Sequence, residues 1–270
     1  MIPNTTPLSQ LRAALRSPVA DVIQYLLLMG ALVWLAGRGA ESIGYNWQWY
    51  QIPRYLYSLT ENGIKAGPLL TGLAITAKIS GASLVLALLI GLLTALLNLS
   101  SSFVGRGLAL IYLELSRNTP LLIQIFFIYF VIGPPLGLER MSAAILAPSL
   151  FEGAYASEIF RSGIQSVDHG QIEAAQSLGL PTWVIYRKVI IPQAIRTVLP
   201  PLTSQAISLI KDSALVSTIA IYDLTMQAQA LISESYLTFE IWFTVAAIYL
   251  TLTLTLSLFV GIMEKRLRLP

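Results

Sequence analysis

The chain has 270 residues, of which 55% are hydrophobic and only 11% charged, with a net charge of +3 and a mean hydropathy of +0.69. Soluble domains carry about 25% charged residues, so lipid must cover much of this surface. The lack of cysteine excludes disulfides, thiolate metal sites and cysteine nucleophiles, one histidine cannot build a histidine metal cluster, and no run of Lys and Arg marks a nucleic-acid surface.

Arg12 and Arg16 precede an apolar stretch from Val19 to Ala36. A cleaved signal peptide is one reading; a retained first helix fits better, because no convincing small-x-small cleavage site precedes a soluble domain. Gly37 to Gly67 is polar and aromatic, with Trp47, Trp49, Tyr50, Tyr55 and Tyr57 close together. Such rings favour the headgroup layer, which predicts an irregular or short helical segment on the membrane surface, with a buried aromatic cluster as the alternative. The second span is expected from Leu70 to Leu97, where Gly91 and Ala95 form a small-xxx-small pair suited to close helix packing.

Ser100 to Gly107 reads as a turn and Leu108 to Ser116 as a short helix. Arg117, Asn118, Thr119 and Pro120 interrupt it, and the third span continues to Ile132. Gly133 to Gly137 reads as a tight loop. The fourth span is expected from Met141 to Phe160, a polar loop from Arg161 to Gln193, a fifth span from Ala194 to Thr218 and a sixth from Phe239 to Met263. The expected fold class is therefore all-α integral membrane with about six transmembrane helices.

Six spans place both termini on one side. If that side is the cytoplasm, it carries Arg12, Arg16, Arg106, Arg117, Arg161, Arg187, Lys188, Arg196, Lys265, Arg266 and Arg268. The other side carries Arg38, Arg54, Lys65 and Arg140. This bias follows the positive-inside rule and puts the loop 161–193 in the cytoplasm. The expected organisation is an N-terminal helix over 1–37, an outer aromatic-rich interfacial segment over 38–66, a core over 67–263 and a cytoplasmic tail over 264–270.

In the cytoplasmic loop, Asp168 is a good N-cap and Gln171 follows three positions later, as in a capping box. Gly179 suits a left-handed C-terminal cap and Pro181 can open a further helix. The pattern predicts a helix from His169 to Leu178, a turn, and a second helix ending near Pro192. A helix of about ten residues is about 15 Å long and fits a cleft on a partner. Ala174 and Ala175 give it a thin profile, and Glu173 supplies one fixed charge. An ordinary capped surface helix is the plainer reading of the same residues.

Glu173-Ala174-Ala175, then Gly179, then Ile190-Ile191-Pro192 resembles the Glu-Ala-Ala loop of ATP-binding-cassette importer membrane subunits, with Ile191 in place of the usual Leu before Pro192. Asp168 and Gly170 open the same loop. Arg117-Asn-Thr-Pro-Leu-Leu-Ile-Gln124 resembles a stretch of polar amino acid permeases, with Asn118 for Gly. Tyr155 to Ile164 and Lys211-Asp212-Ser213 are similar to two further segments of that branch, with Ala214 for a second Ser. The resemblance runs from about Leu69 to the C-terminus and implies a type I permease core with five helices, plus one extra N-terminal helix here. It also implies a coupling helix that docks on a cytoplasmic ATPase dimer, a second permease subunit, identical or homologous, and an outer amino-acid-binding protein. The setting implied is the bacterial inner membrane. ATP and Mg would bind the ATPase and no cofactor this chain, which has no GxxxxGK[ST] sequence.

Charges near mid-bilayer cost roughly 2.5–3.5 kcal/mol, so they face protein or water. Glu114 and Arg117, and Glu158 and Arg161, are spaced to meet on one helix face, which suggests structural or gate ion pairs. Lys211 and Asp212 point about 100° apart on a helix and each needs its own partner. A zwitterionic amino acid could meet both; a braced bend near Pro200 and Pro201 is the other reading. Gln124, Glu152 and Ser213 are further substrate-pathway candidates. An ion-driven secondary transporter or channel, and a non-transporting scaffold subunit, are the competing functions.

Overall fold

The structure is a computed structural model and describes residues 18–42, 44–60 and 63–267. Arg12, Arg16 and Arg268 of the charge-bias argument lie outside the described residues. Contacts divide the chain into two units, 1–48 and 49–270. In the first, α1 (Pro18–Ser42) exposes Tyr25, Leu26, Leu28 and Val33 alike. A helix apolar on all sides needs an apolar solvent around it. Arg38 lies over the Trp34 ring at 4.8 Å, and Trp47 meets Tyr45 edge-on at 5.2 Å.

The second unit opens with a single 3-10 turn at Trp49–Gln51 and the short α2 (Pro53–Leu56). An unexpected hairpin follows, β1 (Tyr57–Thr60) paired antiparallel with β2 (Gly63–Ala66), Tyr57 opposite Ala66 and Thr60 opposite Gly63. The expected surface segment is thus divided in role. Ile52 and Tyr55 are buried in a core cluster with Leu69, Leu224, Leu231, Leu237 and Ile241, whereas Tyr50 and Ile64 are exposed.

The long helices are α3 (Pro68–Leu99), α7 (Arg140–Gln165), α10 (Ile191–Asp212) and α12 (Thr238–Leu267). α3 and α7 run in the same direction: Ile79 packs with Ala143, Ala144 and Ala147, and Gly91 lies against Gly153 and Ala156. A Cβ on Gly91 would stand 2.7 Å from the Ala156 Cβ and 2.9 Å from the Gly153 carbonyl, so only glycine permits this approach. The expected small-residue packing site is therefore real. Between membrane helices such close contact, rather than water exclusion, supplies the attraction. Ser83 Oγ adds a hydrogen bond to the Ile145 carbonyl at 2.9 Å.

α4 (Phe103–Arg117) begins after a turn shorter than expected, with the Ser102 hydroxyl accepting from Gly105 N at 3.1 Å. The third span does not continue straight. α5 (Leu121–Phe126) runs through a π-helical stretch, Phe127–Ile132, into α6 (Gly133–Leu136), and this arm bends 109° from α4. The expected tight loop at Gly133 is thus helical, and only Gly137 takes a left-handed conformation, φ +63°. Arg117 lies about 22 Å along α4 from the Ser100–Ser102 turn, at 1.5 Å per residue, so it stands at the opposite end of α4 from that turn.

α8 (His169–Ser177) and α9 (Thr182–Ile185) form the loop after α7. The second loop helix does not end near Pro192. It passes through a π-helical stretch, Tyr186–Ile190, directly into α10, then a 3-10 segment, Ser213–Ile219. Pro192 lacks an N–H, and the widened π turn just before it absorbs that loss. α11 (Leu224–Ser235), also unexpected, bends 50° from this rod.

Among the described residues three helices are long and apolar enough to cross a membrane, or up to five if each bent pair is one span. α7 is not among them although it runs 26 residues. It is packed against α3, α4 and α10, so protein rather than lipid surrounds it and it tolerates Glu152, Ser149 and Ser157 in its interior. α10 runs opposite to α7, since Val198 approaches Gly163 while Gln205 bonds Glu152. These directions put the α8 loop at one end of the unit and the β-hairpin at the other.

Candidate functional site

The loop after α7 folds on four buried side chains, Val167, Ala175, Ile185 and Ile190, with Ile164, Ile172 and Val189 beside them. Asp168 caps α8 by accepting from Gly170 N at 2.7 Å. The reciprocal half of the expected capping box does not form: the Gln171 Oε1 accepts instead from Gln193 Nε2 at 2.6 Å, tying α8 to α10. At the other end Gly179 takes φ +72°, its N–H reaches the Gln176 carbonyl at 2.8 Å, and Leu180 N reaches the Ala175 carbonyl at 3.2 Å. This is a Schellman motif, and it satisfies carbonyls that a free helix end would leave open.

The two alanines have different roles. Ala175 is buried in the loop core, whereas Glu173 and Ala174 face outward. Leu178 and Trp183 are also exposed, at 79% and 65%. A capped knob thus presents one carboxylate, one small side chain and two apolar side chains to whatever lies beyond. Of the two alanines only Ala174 lies on the exposed face. Leu178 and Trp183 escaped the sequence reading, though apolar residues flanking a glycine-proline turn were a visible signal.

Deeper in the unit, a polar seam joins α3, α7 and α10. Glu152 is 2% exposed and accepts a hydrogen bond from Gln205 Nε2, and its Oε1 has no hydrogen-bond partner among the described residues. The Asp212 carboxyl lies against Glu152. Lys211 is exposed and Asp212 half-buried, as divergent neighbours on a helix must be. The structure therefore brings Glu152 and Asp212 together, while the neighbouring Lys211 is exposed. Gln205 was missed, although it lies seven residues before Asp212, a spacing that shares a helix face.

Two pathway candidates have structural employment. Gln124 Nε2 donates to the Ser116 carbonyl at 2.8 Å and the Thr119 carbonyl at 3.0 Å, closing the bend between α4 and α5. Ser213 donates to the Ile210 carbonyl at 2.8 Å and meets Ser80 Oγ at 3.1 Å. Of the expected ion pairs, Arg161 and Glu158 meet at 2.8 Å, and Gln165 supports Arg161 at 2.7 Å. Glu114 and Arg117 do not pair; Asn118 Nδ2 donates to Glu114 Oε2 at 2.8 Å instead. Among the described residues no group of three or more His, Cys, Asp or Glu could hold a metal ion.

Residues 87–269 match the family model described as binding-protein-dependent transport system inner membrane component. The glutamine transport system permease protein GlnP of Escherichia coli (strain K12) is 36% identical over 204 residues, covering 74% of this chain and 93% of that protein. A crystal structure of an amino acid ABC transporter with histidines is 39% identical at a TM-score of 0.70, covering 74% of this chain and 94% of its own. An inward-facing MetNI methionine ABC transporter structure shares the fold, at 18% identity and a TM-score of 0.63 over 74% of this chain and 96% of that one. With a capped knob at one end of a bundle of long apolar helices, and these matches over most of its length, the chain belongs to the family of inner-membrane components of binding-protein-dependent transport systems.

Proposed function

We propose that this chain is the permease subunit of an ATP-driven importer that carries polar amino acids into the cytoplasm by alternating access. The observation that carries the reading is the α8 knob: capped at both ends, seated on its own small core, with Glu173 and Ala174 turned outward. A stiff element of this kind can pass a displacement from an attached motor into α7 and α10, which flank it in the chain. In this reading Asp168, Gly170, Glu173, Ala174, Ala175, Gly179 and Pro192 build the contact with a cytoplasmic ATPase dimer, which binds ATP and Mg and does the hydrolysis. A second permease subunit completes the pathway and a binding protein delivers cargo to the hairpin end. Both termini are then cytoplasmic, in the bacterial inner membrane. Lys211 and Asp212, with Glu152 behind them, border the cargo path.

The test uses the absence of native cysteine. A single cysteine at Glu173, in the complex purified with its ATPase, is expected to cross-link to the ATPase and to react from the cytoplasmic side only. In proteoliposomes, ATP should drive glutamine uptake when the binding protein is present. Labelling from outside, or no cross-link to the ATPase, would overturn the coupling role. Uptake driven by an ion gradient without ATP would establish an ion-driven carrier instead.

A further inference from the structure

From the knob to the hairpin end, α9, the π-helical stretch, α10 and the 3-10 segment make one continuous helical rod, Thr182–Ile219. Its last seven residues, Ser213–Ile219, are the 3-10 part. Such runs seldom exceed three or four residues, and a longer one marks a hinge or a segment under strain. A 3-10 helix rises about 2.0 Å per residue against about 1.5 Å in an α-helix. The stretch is therefore about 3.5 Å longer than the same residues in α form, and overwound by about 140°.

The segment is held along its length and pinned at both ends. Ser213, Ser217 and Thr218 each donate a hydroxyl to the carbonyl three residues back, Ile210 at 2.8 Å, Ala214 at 2.7 Å and Leu215 at 2.7 Å. At the base, Ser80 Oγ of α3 donates to Ser213 Oγ at 3.1 Å. At the tip, Arg140 donates from one terminal guanidinium nitrogen to the Ala220 carbonyl at 3.1 Å and from Nε to the Tyr129 hydroxyl at 3.3 Å, with its guanidinium over the Tyr129 ring at 5.9 Å. One side chain at the start of α7 thus ties the arm after α5 to the end of the rod. Arg140 and Ala220 are exposed, so water can replace their bond at far less cost than in the interior. The tie is a catch that can open.

Ala220 also has φ +55°, a left-handed conformation uncommon for a residue with a side chain. Just beyond it, α11 is fixed to α3, Leu224 N donating to Thr76 Oγ1 at 3.1 Å. A change in rod length must therefore be taken up between Ala220 and Asp223. Such a change would also unseat Val216 and Ile219, which lie buried in one cluster with Leu121, Ile125 and Ala143.

We propose that Ser213–Ile219 is a length switch, held in its long 3-10 form by the Arg140 catch and converting to the shorter α form when the ATPase displaces the knob, which frees the arm after α5 at the hairpin end. The inference rests on the permease reading and adds a moving part to it.

The experiment places spin labels on cysteines at Ser204 and Tyr222, both exposed and on either side of the segment. Their separation is measured by pulsed EPR in the complex with its ATPase, nucleotide-free and then trapped with ATP and vanadate. The trapped complex should show the labels about 3.5 Å closer. Arg140→Gln should reach the short form at roughly 10–100-fold less ATP, the range of one hydrogen bond to a charged group. If Arg140→Gln does not assemble, Arg140→Lys decides, and it should lower the ATP requirement by a smaller factor. A labelled complex that hydrolyses ATP normally yet keeps one separation in both states would overturn the switch. Arginine variants with an unaltered ATP requirement would overturn the catch. A complex whose ATP hydrolysis the binding protein never stimulates would overturn the permease reading, and the inference with it.

Discussion

The α8 knob and the bend between α4 and α5 both reverse or redirect the chain sharply, and they are held in different ways. The knob is closed by bonds among residues 168–193 and by a core of neighbours in sequence. At the bend, Leu121, Ile125 and Ile128 pack on Ile79, Ala143, Ala147 and Val216, which come from three other parts of the chain. A locally closed element can move as a body, whereas a bend wedged among distant helices shifts only if they shift too. That contrast suits a lever at one end and a pathway wall in the middle.

The contrast can be broken at Gln124. Gln124→Leu leaves the Ser116 and Thr119 carbonyls without their donor at the bend; an unsatisfied buried group costs roughly 1–3 kcal/mol, and less where, as at Thr119, it is half-buried. We expect the largest loss of thermal stability here, read as a lowered unfolding temperature of the purified chain, with cross-linking at position 173 unchanged while the protein is folded. A loss confined to the 121–136 arm in hydrogen exchange would show that the bend is local after all.

Changes in the knob should be smaller and should stay there. Gly179→Val forces a β-branched residue into φ +72°, which costs roughly 1–2 kcal/mol. Faster exchange at the Gly179 and Leu180 amides should report it, with the unfolding temperature nearly unaltered. Asp168→Ala removes the N-cap, worth about 1 kcal/mol, and should speed exchange at Gly170 and Gln171. Arg161→Ala should have the least effect, about 0.5 kcal/mol or less, because Glu158 and Arg161 are each about a third exposed and solvent screens them. A stability loss from Asp168→Ala as large as that from Gln124→Leu would erase the distinction between the two regions.

The difference between the regions also explains what could be read early. Asp168, Gly179 and Pro181 act on residues a few positions away, so their cap and turn chemistry was visible in the sequence, and α8 falls within one residue of its expected end. Gln171 shows the limit, since its side chain found Gln193 across the loop rather than the backbone beside it. The same limit separates Glu158 and Arg161, which meet as spaced, from Glu114 and Arg117, where Asn118 intervenes.

What the sequence determined by itself is what depends on composition and short range: a lipid-covered helical chain, its long apolar spans, the caps of the knob, and the glycine at position 91 awaiting a close neighbour. Only the tertiary structure decided that α7 is the interior helix, that the third span bends by 109°, that Ala175 turns in while Ala174 turns out, and that Gln205 reaches Glu152. Hydropathy measures how a segment partitions between water and oil, and caps act within one turn of helix. Neither carries information about which distant surface will cover a given face, and that choice is made by packing between helices far apart in the chain.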